Sequence, residues 1–155
     1  FTSHCHSPFE KFTDIPEIVK KDNVIYTASP IFRAYRVHGA LIYKRIAQNC
    51  LNLLLPEKLI RSNLTSTAEV TLNRRGNLLI LHILHYIPER RAQELEIVED
   101  IIPLYNIQMR IKTDVEPLKV YLVPQKDKLD FTFKQGYVFF NVPEVQGHQM
   151  IIIET

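Results

Sequence analysis

Glycine is scarce in this chain of 155 residues, with four copies, and cysteine is scarcer still, with two. So few glycines leave little material for a phosphate-cradling loop, a dinucleotide fingerprint or a Gly-x-Ser-x-Gly nucleophile elbow, and none of these motifs occurs. Cys5 and Cys50 are too few for a disulfide framework and read as two idle or buried thiols. Neither sign of charge dominates: 19 basic and 17 acidic residues are mixed along the chain for a net charge of +2. No basic stripe follows a phosphate backbone, so nucleic acid is not an expected partner. No apolar run approaches the length that crosses a bilayer, so neither is a membrane. A basic n-region followed by an apolar h-region is also missing from the start. The chain opens on Phe1 and its only methionines are Met109 and Met150, so its natural beginning is expected upstream.

What is present is ordinary globular composition, 46% hydrophobic and 23% charged, long enough to bury a sizeable core. The pattern changes near Leu55-Pro56. Upstream, Asp22-Asn23 leads into Val24-Ile25-Tyr26, expected as a buried strand. Ser29-Pro30 is a helix-start signal, a serine able to cap free N–H groups followed by the residue best tolerated at the first helical position. Residues 31–37 then form one short helix with Gly39 as its break. The strongest helix runs over 40–54, with Ile42, Ile46, Cys50 and Leu53 at helical spacing and Lys44, Gln48 and Asn52 on the opposite side. Pro56 ends it. A strand and a helix are half of an α/β unit and make no stable domain alone. Residues 1–56 therefore read as the closing piece of an α/β domain whose other strands are absent.

Residues 57–155 carry no helical signal. Candidate strands fall at 67–72, 78–86, 95–98, 106–112, 119–123, 129–133, 137–142 and 149–154. They are divided by Asn73-Arg74-Arg75-Gly76, Pro88, Pro103, Pro117, Pro124, Gly136 and the 143–147 stretch. Leu129, Phe131 and Phe133 alternate with Lys128, Asp130, Thr132 and Lys134 up to Gln135-Gly136, the pattern of a hairpin with one dry and one wet face. Ile107, Met109 and Ile111 alternate with Gln108, Arg110 and Lys112 in the same way. About eight strands with no intervening helix predict an antiparallel β-sandwich. The whole chain is thus expected as α+β.

Few residues offer chemistry. His4-Cys5-His6 has zinc-binding side chains, but an extended chain points Cys5 away from the histidines and no second ligand group lies at a familiar spacing. No metal and no cofactor is expected. His82 and His85 sit at odd separation in one strand and face opposite sides. Glu94, Glu96, Glu99 and Asp100 surround one strand, and glycoside cleavage does need two carboxylates a fixed distance apart. Arg90 and Arg91 lie just upstream, however, and the stretch reads as a solvated sheet edge. No catalytic residue is assigned. Asn63-Leu64-Thr65 fits a glycosylation sequon, a short motif of low specificity. Tyr105, Tyr121 and Tyr137 fall near strand starts or at outward positions and could form a sugar-stacking platform.

Two groups of residues carry a family resemblance. Asn23-Val24-Ile25-Tyr26 followed by Ser29-Pro30-Ile31-Phe32-Arg33-Ala34-Tyr35-Arg36 resembles the end of the flavodoxin-like β-galactosidase trimerisation domain. The stretch His82-Ile83-Leu84-His85-Tyr86-Ile87-Pro88-Glu89-Arg90-Arg91, then Ile97-Val98-Glu99-Asp100-Ile101-Ile102-Pro103-Leu104, resembles the segment that follows that domain in a group of bacterial glycoside hydrolases. The 142–150 stretch is similar to the end of the same proteins. The resemblance implies a parent enzyme acting on oligo- or polysaccharides, with a catalytic (β/α)₈ barrel upstream, a trimeric assembly and a bacterial cytoplasmic setting. It carries no catalytic position onto this chain. It implies a non-catalytic C-terminal accessory or oligomerisation region, with Leu41, Leu51 and the apolar residues of 78–86 at an inter-domain seam. The alternatives are a carbohydrate-binding β-sandwich module and a small stand-alone hydrolase.

Overall fold

A computed structural model describes residues 14–155. It is mostly antiparallel β-sheet with two short helices, an α+β fold, and it separates into two compact units, Phe1–Glu57 and Lys58–Thr155.

The first unit begins with an antiparallel hairpin, β1 (Ile18–Lys21) and β2 (Val24–Thr27), in register Ile18 to Thr27 and Lys21 to Val24. Its turn places Asp22 at φ 50, a left-handed conformation that aspartate tolerates better than most side chains. β2 was expected to be buried, but Val24 and Tyr26 are each 66% exposed in this chain. β1, with two lysines in four residues, gave no strand signal. Helix α1 (Ile31–His38) starts after Pro30 without a side-chain cap, because the Ser29 hydroxyl is turned to the Glu17 carboxylate instead. It stops at Gly39, whose φ of 64 lets its N–H return to the Tyr35 carbonyl at 2.8 Å. Helix α2 (Leu41–Leu54) packs against α1 and touches β2. Its half-buried stripe is Tyr43, Ile46, Ala47, Cys50 and Leu54. Ile42 and Leu53, expected on that same stripe, point elsewhere and are exposed together with Leu41 and Leu51.

The second unit is a sandwich of two four-stranded sheets. Its strands are β3 (Ile60–Ser62), β4 (Ala68–Arg75), β5 (Leu78–His85), β6 (Glu89–Ala92), β7 (Leu95–Ile97), β8 (Leu104–Lys112), β9 (Lys119–Val123), β10 (Phe131–Lys134), β11 (Tyr137–Val145) and β12 (His148–Glu154). One sheet has the order β10-β11-β8-β3 and the other β4-β5-β12-β9; β6 and β7 form a separate hairpin. Period-two alternation aims one face of each sheet at a shared core. Leu81, Ile83, Ile151, Ile153 and Val120 come from one sheet, and Ile107, Met109, Ile111, Val138 and Val142 from the other. Each such buried aliphatic side chain contributes about 1.5–3 kcal/mol relative to an exposed one.

Turn chemistry fixes the register. Gln135 and Gly136 both have positive φ, 52 and 74, as a two-residue hairpin loop of the type matching right-handed strand twist demands. β4 runs on through Asn73, Arg74 and Arg75, which were expected as a turn; the loop is Gly76-Asn77, with Gly76 at φ 60. β11 likewise continues past Pro143. The β8–β11 ladder skips that position, where Pro143 has no N–H and Asn106 adopts φ 55. The eight strands of the sandwich include β3, too short to show periodicity, and exclude β7, which pairs only with β6.

Candidate functional site

The three tyrosines singled out by position do not converge. Tyr121 lies on the outer face of β4-β5-β12-β9, half-buried opposite Ile152. Tyr105 is beyond the irregularity in β8, opposite Glu144 and 62% exposed. Tyr137 is on the outer face of the other sheet, opposite Lys112 and Lys134.

Around Tyr137 the register assembles a different group. Since Ile107, Met109, Ile111, Val138, Phe140 and Val142 fill the core, their sequence neighbours must face out. One row across the sheet reads Arg61, Arg110, Phe139, Thr132, and the next reads Lys112, Tyr137, Lys134. A third row on the other side holds Gln108 opposite Asn141. The Asn63 carboxamide extends the β3–β8 ladder: its Oδ1 accepts from the Gln108 N–H at 2.9 Å and its Nδ2 donates to the Asn106 carbonyl at 3.3 Å. The Tyr137 hydroxyl donates to the Lys58 carbonyl at 2.9 Å, which fixes the ring. The Arg61 guanidinium then lies over that ring, 5.7 Å from its centre, and the Arg110 guanidinium lies 5.3 Å from the centre of Phe139. Each contact is a cation–π pair worth about 0.5–1 kcal/mol at an exposed site.

Three shallow recesses of about 250, 240 and 170 Å³ pit this face, and Arg110 lines all three. No carboxylate lines any of them; besides Arg110 and Tyr137 their polar lining is Arg61, Ser62, Asn63, Gln108, Gln135 and Asn141. Arg61 and Arg110 are direct cross-strand partners, an arrangement of like charges that is unfavourable in itself. Arg61 and Phe139 went unnoticed in the sequence, and Arg110 was read only as an outward position of its strand. Tyr137, Phe139 and Asn141 at alternate positions were a usable signal; the pairing with β3 was not.

The other polar groups have structural partners. His85 is 2% exposed, with Nδ1 at 2.9 Å from the Ile102 carbonyl and Nε2 at 3.0 Å from the Thr67 hydroxyl. Nδ1 therefore donates to Ile102 and Nε2 accepts from Thr67. His82 faces outward, as the odd spacing requires, and stacks on His148 with Nδ1 and Nε2 3.1 Å apart. The carboxylates of the 94–100 stretch are surface ion pairs or solvated. Arg90 holds Glu96 at 3.3 Å, and Arg91 holds Glu89 at 3.0 Å and also Glu99. Such exposed pairs contribute about 0–1 kcal/mol each. A recess of about 450 Å³ has an apolar floor of Leu59, Leu72 and Leu79 and is rimmed by Arg74 and Asp114, 3.8 Å apart. Among the described residues no group of three or more His, Cys, Asp or Glu could hold a metal ion. The His4-Cys5-His6 stretch lies outside those residues. No described helix is long and apolar enough to cross a membrane.

No protein-family model matches the chain, and no curated protein does either. Solved structures do match. The chain is similar to α-L-fucosidase isoenzyme 2 from Paenibacillus thiaminolyticus, with a TM-score of 0.91 and 32% identity over 99% of this chain. A cycloisomaltooligosaccharide glucanotransferase from Paenibacillus sp. aligns over 61% of this chain and 16% of its own, with a TM-score of 0.45 and 18% identity. The chain spans about a quarter (24%) of the fucosidase chain, so that nearly every residue of it has a counterpart in one part of a bacterial glycoside hydrolase.

Proposed function

We propose that this chain is a non-catalytic C-terminal accessory region of a glycoside hydrolase that acts on oligo- or polysaccharides. The observation that carries the reading is the likeness to the fucosidase, which extends over 99% of this chain but only 24% of that enzyme. The ion-paired, exposed carboxylates Glu89, Glu96 and Glu99 add support, since glycoside cleavage needs one carboxyl held in a setting that keeps it protonated. The first unit is proposed to act as the end of a β-galactosidase-type trimerisation domain, and a homotrimer and an upstream catalytic barrel are its proposed partners. The exposed apolar residues Leu41, Ile42, Leu51 and Leu53 of α2 are the surface such partners would cover. The test is exposure of the purified chain to mechanism-based glycosidase inactivators, fluorinated glycosides and cyclitol aziridines, read by intact mass. An unmodified mass is expected. A sugar adduct on any carboxylate overturns the reading.

The outer face of β10-β11-β8-β3 favours a second reading, a carbohydrate-binding β-sandwich. Tyr137 and Phe139 stand two residues apart on one strand with Gln108 and Asn141 beside them. Retention of the chain in polyacrylamide gels loaded with polysaccharide, lost on Tyr137→Ala, is the outcome this reading expects. Tyr121→Ala, on the other sheet, is the control that should retain binding.

A further inference from the structure

Beyond that reading, and without resting on it, we propose that the free edge of β4 joins the same edge of a second copy of this chain, continuing the sheet across a two-fold axis. A sheet edge shows a row of unused N–H and C=O groups that another strand can take up. The opposite edge of the same sheet, at β9, is closed by the chain itself. There the Leu122 N–H donates to the Asp127 carbonyl at 2.9 Å, and the Leu129 N–H donates to the Val120 carbonyl at 2.9 Å. β4 differs. Past Ala68, whose N–H turns back to the Thr65 carbonyl, it has no such cover among the described residues. It is nevertheless eight residues long, without proline, glycine or a bulge.

The ladder fixes which groups face out. The His85 N–H points away from β4, to the Gly147 carbonyl at 2.7 Å. Bonding direction alternates along a strand, so Leu84, His82, Ile80 and Leu78 bond to Glu69, Thr71, Asn73 and Arg75. Val70, Leu72 and Arg74 therefore turn their N–H and C=O groups to the open side. An axis through Leu72 sets Leu72 against its own copy and Val70 against Arg74, so each pair exchanges both backbone hydrogen bonds. Charge selects this register. Glu69 of each copy then stands directly opposite Arg75 of the other, on the outer face where both side chains are exposed. These are non-hydrogen-bonded pairs, in which side chains stand closest. No other register of the outward groups brings the acidic residue of β4 opposite a basic one. Within one chain Glu69 and Arg75 stand ~20 Å apart along the strand. Neither makes an ion pair or side-chain hydrogen bond among the described residues. On the other face the half-buried Val70 and Leu72, packed at the rim of the core, gain cover from the second copy.

The experiment is sedimentation velocity of the whole chain from about 1 µM to about 500 µM. A contact of one strand from each copy is small, so a dimer with a Kd of about 10–100 µM is expected. Glu69→Arg and Arg75→Glu each place like charges opposite each other at both ends of the contact. Each is expected to raise Kd at least about tenfold while the urea unfolding midpoint stays in place. An equimolar mixture of the two variants restores both opposite-sign pairs and is expected to dimerise as the unaltered chain does. A hexamer that falls to trimers in either variant also upholds the proposal, with the proposed trimer contact of the first unit beside it. Monomers at every concentration, an oligomer that neither variant loosens, or a mixture no tighter than its components each overturns it.

Discussion

Gly147 and Gly76 share a positive φ, 72 and 60, but not their surroundings. A β-carbon at Gly76 meets nothing within 4 Å, whereas one at Gly147 meets ring atoms of Tyr86 at 2.7–2.8 Å. Gly76→Ala should therefore cost about 1–2 kcal/mol, the strain of a left-handed alanine. Gly147→Ala should cost about 2 kcal/mol more, because the Tyr86 ring has to give way. Urea unfolding of the two variants checks this, and equal midpoints would contradict it. His85 and His82 make a similar pair. His85→Leu removes a donor to the Ile102 carbonyl and an acceptor for Thr67 from a buried site, at about 2 kcal/mol or more. His82→Ala, on the outer face, should cost less than about 1 kcal/mol. The odd spacing of these histidines was enough to put them on opposite faces. It said nothing of His148, which lies 66 residues away and meets His82 through the pairing of β5 with β12.

Elements with a strong period were legible for a physical reason: burying one face forces every second side chain to be apolar. β9 was read at its observed bounds, and β8, β10 and β12 to within two residues at each end. β3 has three residues, and β1 and β6 are rich in lysine or arginine with no buried position, so no periodic signal existed to find. α2 was legible as a helix but not in its facing. Apolar residues lie on several of its sides, and only contact with α1 and β2 decides which stripe turns inward. This difference in burial is testable. Ile83→Ala, at a fully buried position of β5, should destabilise by about 2–5 kcal/mol. Ile42→Ser, 59% exposed on α2, should change stability of this chain by no more than about 0.5 kcal/mol. Denaturant titrations of the two variants compare them directly. The candidate face was half legible for the same reason: β11 showed Tyr137, Phe139 and Asn141 on one side, while their neighbours Arg61 and Arg110 depend on the order of strands in the sheet.

As a whole, the molecule divides into two units, with the large apolar core confined to Lys58–Thr155. Residues 58–155 expressed alone should fold, with cooperative unfolding and a β-sheet circular dichroism spectrum. Non-cooperative melting of that segment beside cooperative unfolding of all 155 residues would contradict the division. The chain is poor in the motifs of nucleotide and nucleophile chemistry. It is similar to 24% of a fucosidase chain. The central proposal is that this chain is part of a glycoside hydrolase without carrying its chemistry. The most direct measurement is release of nitrophenol by the purified chain from a panel of aryl glycosides that includes the α-L-fucoside. The account predicts a rate equal to that of buffer. Steady turnover that co-purifies with the chain and disappears when Glu96 or Glu99 is replaced by glutamine would contradict it.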